Sequence, residues 1–407
     1  MKYKTMKQSP FFDFFNSHRE VTFHDLQKTG IEDTDYIRWN EFLLPLDYGD
    51  SEAEYWAIRR ECGLFDVSPI RKIAIKGKSA GYLLDHVLTR PVSNSPAMRG
   101  IYVAYCNEDG SMKDDSILYK YAEDDYLLMP SDIDHSEHLR SFFDQLDIND
   151  DEVHIAECTD SLSGVAFQGP LSAFVLSSMG FETIEELAPF EVRDYEVSQS
   201  VFRVARMGFT ADLGYEVWFD PADTSLLQEL IKQTRKATDL TIPGYGLTAL
   251  EACRLEGAFI VAGWDFATEV DPEPGFNRSP FEVGLGWLVN LDGDKFFGKK
   301  ALLAEQKDGQ KFTLRQFKTD SRSQVPDRTV VYSLINGQKR SIGLVNCSAW
   351  SWGENQTIGN LSIHTEYIEC ASAWIIIDEH QTPIEIVRGS FVNFTHRNKT
   401  PVVLLAK

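Results

Sequence analysis

Residues Gly100 to Lys120, GIYVAYCNEDGSMKDDSILYK, constrain the fold more than any other stretch of the chain. Ile101 to Cys106 is rich in β-branched and aromatic residues, which favour strands. Asn107-Glu108-Asp109-Gly110 is turn chemistry, with Gly110 free to adopt a positive φ. From Asp115 to Tyr119 the side chains alternate, so the segment predicts a hairpin. Neighbouring strand residues point to opposite faces, so Asp114 and Asp115 cannot both face water. Asp115 shares its face with Ile117 and Tyr119; Asp114 shares its face with Ser116 and Leu118. Two readings follow: a pair of solvated aspartates at a strand end, or a carboxylate held on an apolar face because it has a partner or a task.

A chain of 407 residues predicts two or three domains at about 100–200 residues each. The net charge of −22 argues against nucleic acid and anionic membrane surfaces, both of which select lysine and arginine. Cys62, Cys106, Cys158, Cys253, Cys347 and Cys370 are scattered singly, with no CxxC, as free thiols in a reducing compartment would be. Neither a signal-peptide-like run nor a membrane-length apolar run is present, and the expected location is the cytoplasm.

Two decoys are set aside. Gly293 to Lys300, GDKFFGKK, nearly spells a phosphate-binding loop but ends in Lys300 where Ser or Thr must hold magnesium. His135 and His138 sit one helical turn apart in a segment, 134–145, that predicts a helix. Such pairs are usually solvated, and with no third ligand in view no metal is expected.

Seven segments, in order, resemble the aminomethyltransferase family: the T-protein of the glycine cleavage system and its tetrahydrofolate-dependent relatives. They are CGLFDVSPI (62–70), CNEDGSMKDDSILYK (106–120), FQGP (167–170), RMGFTADLGYEVWF (206–219), GLTALEACRLEGAF (246–259), SPFEVGLGWLV (279–289) and FFGKKALL (296–303). The resemblance implies an α+β fold, a three-domain cloverleaf around a central funnel with a C-terminal β-barrel. It divides the chain into an N-terminal extension (1–37), a folate-binding core of two intertwined subdomains (38–308) and the barrel domain (309–407). It implies tetrahydrofolate as cofactor and Asp115 as the catalytic carboxylate.

Other roles are carried over by position. Glu216 would hold the pterin ring; its plain alternative is an exposed strand glutamate. Arg254 would meet the acidic tail of folate; its alternative is a helix-surface ion pair with Glu251. Tyr102 lines the pocket, near both folate and donor, and Trp287 is either pocket or core. Glu282 is read as orienting a neighbouring helix or loop.

The chain departs from the glycine-cleavage pattern at Pro69, at Ser131, where an asparagine is usual beside folate, at Phe209, near the donor, and at Trp350-Ser351-Trp352. These changes favour a demethylase-like transfer from a small methylated donor, as in the dimethylsulfoniopropionate demethylases. The alternatives are the aminomethyltransferase of glycine cleavage, which needs a lipoyl carrier protein, and a non-catalytic folate-binding regulator.

Overall fold

The computed structural model describes residues 6–17, 35–293, 295–323, 325–370, 372–401 and 403. Two five-stranded sheets build the core, and both are antiparallel. In the first the spatial order is Arg99–Cys106, Met112–Ala122, Asp125–Pro130, Ile73–Lys76, His154–Glu157. In the second it is Val192–Val197, Ser200–Ala205, Gly214–Phe219, Ser163–Gln168, Gly63–Asp66.

The predicted hairpin is the first pair of the first sheet, with Ala104 opposite Asp115 and Tyr102 opposite Ile117. Gly110 takes a φ of 83° in its turn, and a side chain there would press on Ala301 and Leu302. The 134–145 segment forms two short helices, Ser136–Arg140 and Phe143–Leu146, rather than one.

Alternation gives each sheet two apolar faces, and three cores fill them. Leu118 and Leu128 lie on the outer side of the first sheet, in one core with Leu83 and Leu84 of the helix Ala80–Val87. Val165, Phe202 and Val217 lie on the outer side of the second, in one core with Leu227 and Ile231 of the helix Thr224–Thr238. Between the sheets pack Phe65, Tyr119, Met129, Ala166, Ala205 and Trp218. This middle layer is where inward polar groups of both sheets meet.

The expected N-terminal extension contributes to the core where it is described. Phe11 and Phe15 are buried in the second sheet's outer core, and the Phe11 N–H donates to Asp66 Oδ2 at 3.1 Å.

Residues 312–387 close a barrel in the order Phe312–Thr319, Gln356–His364, Gln338–Ser351, Val330–Ile335, Ala373–Ile377, His380–Val387. A buried polar knot ties it to the core. Glu256, at the end of the helix Leu247–Glu256, accepts from Tyr55 Oη at 2.7 Å, Arg59 Nε at 3.0 Å and Ser351 Oγ at 2.5 Å. Ser351 is the middle residue of Trp350-Ser351-Trp352, so this segment reaches the junction. Glu282 accepts the backbone N–H groups of Ser279, Lys311 and Phe312, which fixes the entry to the barrel. Beyond the barrel the chain returns to the core: Arg206 binds the carbonyls of His396 and Arg397 at 3.3 and 3.1 Å.

All six cysteines are free. Among the described residues no helix is long and apolar enough to cross a membrane.

Candidate active site

Asp115 is half-buried on the inter-sheet face of the strand Met112–Ala122. Tyr102, across the hairpin, donates its hydroxyl to Asp115 Oδ2 at 2.7 Å. Asp114 points the other way and is fully buried; its Oδ1 accepts the Asp115 N–H at 2.9 Å. Burial, and then the neighbouring Asp114 carboxylate, raise the Asp115 carboxyl above the usual carboxylate range, while the Tyr102 hydrogen bond opposes this. The carboxyl can therefore exchange a proton near neutral pH. Ser131 follows Pro130, which pairs with Ser116, so it lies beside Asp115 at the end of the next strand. The Ser131 carbonyl accepts from Asn40 Nδ2 at 3.1 Å, and the same amide reaches the Pro69 carbonyl at 2.6 Å. Two positions that depart from the family pattern thus share one asparagine.

Glu216 lies on the facing sheet, between Ala205 and Ala166 in register. Tyr119 donates its hydroxyl to Glu216 Oε2 at 3.0 Å and so bridges the sheets. Tyr119 is four residues along the strand from Asp115, or about 13 Å at about 3.3 Å per residue. Two glycine positions before Glu216 have no room for a side chain. The Gln168 amide lies across both Gly208 and Gly214, and a Cβ at either would collide with it. Burial pushes the Glu216 carboxyl up to about 7.

Glu54 is likewise pushed up to about 7, also by burial. Both groups bind protons more tightly in the native state than at the ordinary glutamate value of 4.5. Stability is then greatest below that value and falls as the pH rises from about 4.5 through about 7. Self-repulsion at a net charge of −22 acts in the same direction. The melting temperature of the free protein should therefore be higher at pH 6 than at pH 8. A calorimetric scan at the two pH values checks this, and an equal or higher melting temperature at pH 8 would contradict it.

Arg254, expected to meet the acidic tail of folate, is engaged by protein groups. It is fully buried, and its guanidinium is occupied on every side. Nε donates to Glu251 at 2.8 Å, one terminal nitrogen to the Phe259 carbonyl at 2.9 Å and Asp265 at 3.4 Å, and the other to Cys347 Sγ at 3.2 Å. The Glu251 pairing was legible at i,i+3 spacing; Asp265 and Cys347 lie far off in sequence. Arg254 thus ties helix, loop and barrel together through protein partners.

A cation beside Phe259 is Arg397, which sequence reasoning did not single out. It is half-buried, stands 4.9 Å from the Phe259 ring, and makes no ion pair among the described residues. Phe259 in turn packs on Phe209 at 5.4 Å, and Phe209 is partly exposed. Residue 397 follows the last barrel strand with no periodic pattern around it; its segment is held here by Arg206 on the His396 and Arg397 carbonyls, by His396 on Asp212 and by Phe394 on Arg59.

Trp287 is not core: it is 65% exposed, with its ring 6.0 Å from that of Tyr102. The histidines also differ from expectation. His135 is buried, and its Nε2 lies 2.8 Å from Asp114 Oδ2. No group of three or more His, Cys, Asp or Glu suited to a metal ion occurs among the described residues.

A family model described as the GCVT N-terminal domain matches residues 28–293. The chain belongs to the GCVT, or aminomethyltransferase, family. Its relatives include an aminomethyltransferase of Thermotoga petrophila, 30% identical over 276 residues, covering 67% of this chain and 71% of that one. An aminomethyltransferase of Bacillus pumilus is 29% identical over 343 residues, covering 84% and 89%. The crystal structure of glycine cleavage system aminomethyltransferase T from Bartonella henselae shares the fold, with a TM-score of 0.77 at 20% identity, covering 98% and 100% of the two chains. The GCVT fold, with its β-barrel after the double-sheet core, is therefore the architecture inferred from the seven segments.

Proposed function

We propose that this chain transfers an aminomethyl-type one-carbon unit to tetrahydrofolate, with Asp115 as the acid–base group and Glu216 as the pterin anchor. As a member of the GCVT family it is a tetrahydrofolate-dependent transferase enzyme. The observation that carries the assignment of residues is the layer between the sheets: Asp115, held by Tyr102, and Glu216, held by Tyr119 from the strand that carries Asp115.

The residues fit such a ligand. Glu216 uses one oxygen for Tyr119 and keeps acceptor capacity for the N–H edge of a heterocycle. Arg397 and the Phe209–Phe259 pair offer a cation and apolar faces for an anionic tail. Tetrahydrofolate, when bound, supplies the nucleophilic nitrogen that receives the carbon. Asp115 takes up the proton released at that nitrogen and holds the donor against it. Tyr102 orients the Asp115 carboxylate and favours its ionised form.

The names of the relatives support the aminomethyl donor over the demethylase-like reading drawn from the departures at Pro69, Ser131 and Phe209. With that donor comes a lipoyl carrier protein as partner. A sulfonium or quaternary amine donor is the second reading. Its support is the aromatic pair of Tyr102 and Trp287 beside Asp115, worth about 0.5–2 kcal/mol to a cation.

Product analysis separates the two. Purified protein with tetrahydrofolate and aminomethylated lipoyl carrier should give 5,10-methylene-tetrahydrofolate and ammonia. Formation of 5-methyl-tetrahydrofolate from a small donor, with no methylene product, would establish the second reading instead.

Binding tests the anchors. Glu216→Ala should weaken mono- and polyglutamyl tetrahydrofolate alike, by about tenfold, the worth of a charged hydrogen bond. Arg397→Ala should weaken the polyglutamyl form more. Equal losses for Arg397→Ala in titration calorimetry would remove it from tail binding.

A further inference from the structure

The buried cluster behind Asp115 has no part in the reaction described above. Asp114 Oδ1 accepts the N–H of Asp115, and Asp114 Oδ2 lies 2.8 Å from His135 Nε2. The Tyr105 hydroxyl lies 3.4 Å from the same Oδ2 and 3.3 Å from Ser116 Oγ. The His135 ring meets Tyr105 edge-on at 4.8 Å, which fixes its plane. Both Asp114 and His135 are 1% exposed, so water cannot substitute for either partner. A solvent-facing histidine on a short helix would serve no such end; this one is turned inward onto a carboxylate.

We propose that His135 is a positioning residue for Asp115: through Asp114 it holds the Asp115 peptide in place and sets the negative charge standing behind the Asp115 carboxylate. The inference rests on Asp115 being the acid–base group.

The sign follows from the contacts. Burial keeps His135 neutral, and in the tautomer with its proton on Nε2 the ring donates to Asp114 Oδ2 and favours the ionised carboxylate. Ionised Asp114 opposes ionisation of Asp115 on the adjoining residue. The other charged groups around Asp114 are Lys113, paired with Glu269 from the loop after the helix Leu247–Glu256, and Asp132 beyond the strand Asp125–Pro130. His138, on the helix Ser136–Arg140 that His135 precedes, lies 6.3 Å from it ring to ring. Burial above all, and then Asp132, favour the neutral form of Asp114, while the Asp115 N–H, Tyr105 and Lys113 favour the ionised form; a donor at His135 adds to the second group.

Removing the His135 donor should make Asp114 more often neutral and lower the pKa of Asp115. In His135→Leu the acidic limb of the kcat profile should move about 0.5–1 unit to lower pH, as expected for partial loss of a nearby charge. His135→Gln, which can still present an N–H near the Nε2 position, should keep the limb close to wild type. Asp114→Asn should move it the same way as His135→Leu, and the double variant should add little. If His135→Leu does not fold, Asp114→Asn and His135→Gln still decide the matter. A limb unmoved in Asp114→Asn, or moved in His135→Gln as far as in His135→Leu, would overturn the proposal. Asp115→Asn serves as the separate control: if the wild-type limb survives there, the limb does not belong to Asp115, and the reading of Asp115 fails rather than that of His135.

Discussion

Asp115→Asn should fold normally and lose turnover by about 10²-fold or more. The substitution is isosteric, and the Tyr102 hydroxyl can still donate to the remaining carbonyl oxygen, so the hairpin keeps its cross-strand contact. What disappears is a group that can take up a proton, and positioned acid–base groups contribute about 10²–10⁴-fold. The native protein holds the Asp115 carboxyl up by burial and by Asp114, so ionising it costs stability above neutral pH. The amide carries no such cost, and the variant should melt no lower than wild type at pH 8. Measured together, slower turnover with unchanged or higher melting temperature marks a catalytic carboxylate. Turnover near the wild-type rate would mean that the carboxylate is a structural feature of the strand.

The second large effect concerns Arg254. Arg254→Met keeps much of the volume but leaves Glu251 and the fully buried Asp265 without their cation. Asp265 would still accept from Val261 N–H, Asn346 and Asn360, at 2.9, 2.9 and 3.1 Å. Breaking a buried ion pair by removing one partner costs about 3–5 kcal/mol. The urea midpoint should fall accordingly, and any loss of ligand affinity should be the same for mono- and polyglutamyl tetrahydrofolate. A midpoint near wild type, with weakening confined to the polyglutamyl form, would restore the tail-binding role.

These two residues show what was legible in the sequence. The hairpin was readable because strand alternation is local: residues 100–120 carry their turn, their faces and the inward aspartates in one stretch. Glu216 was placed on a strand beside Trp218 by the same argument, although Tyr119 as its partner required the second sheet. The barrel was visible as short strands, but its first strand, Phe312–Thr319, has no clean alternation; its outer half is only partly buried, which blurs the pattern. The structure supplied what depends on distant pairing. Arg254 looked like a surface residue of an amphipathic helix, but the barrel covers that face through Cys347. His135 looked solvated on its own helix, and only the fold of the first sheet brings Asp114 to it. Arg397 carries no local signal at all, since the backbone tether that delivers it comes from Arg206, in the other sheet's loop.

The central claim is that one ligand spans the face between Asp115 and Glu216. A crystal structure of the protein with tetrahydrofolate bound tests it most directly. The account predicts the pyrimidine edge of the pterin on the Glu216 carboxylate and the reactive nitrogen within hydrogen-bond reach of Asp115, directly or through one water. A pterin bound away from both carboxylates would contradict it.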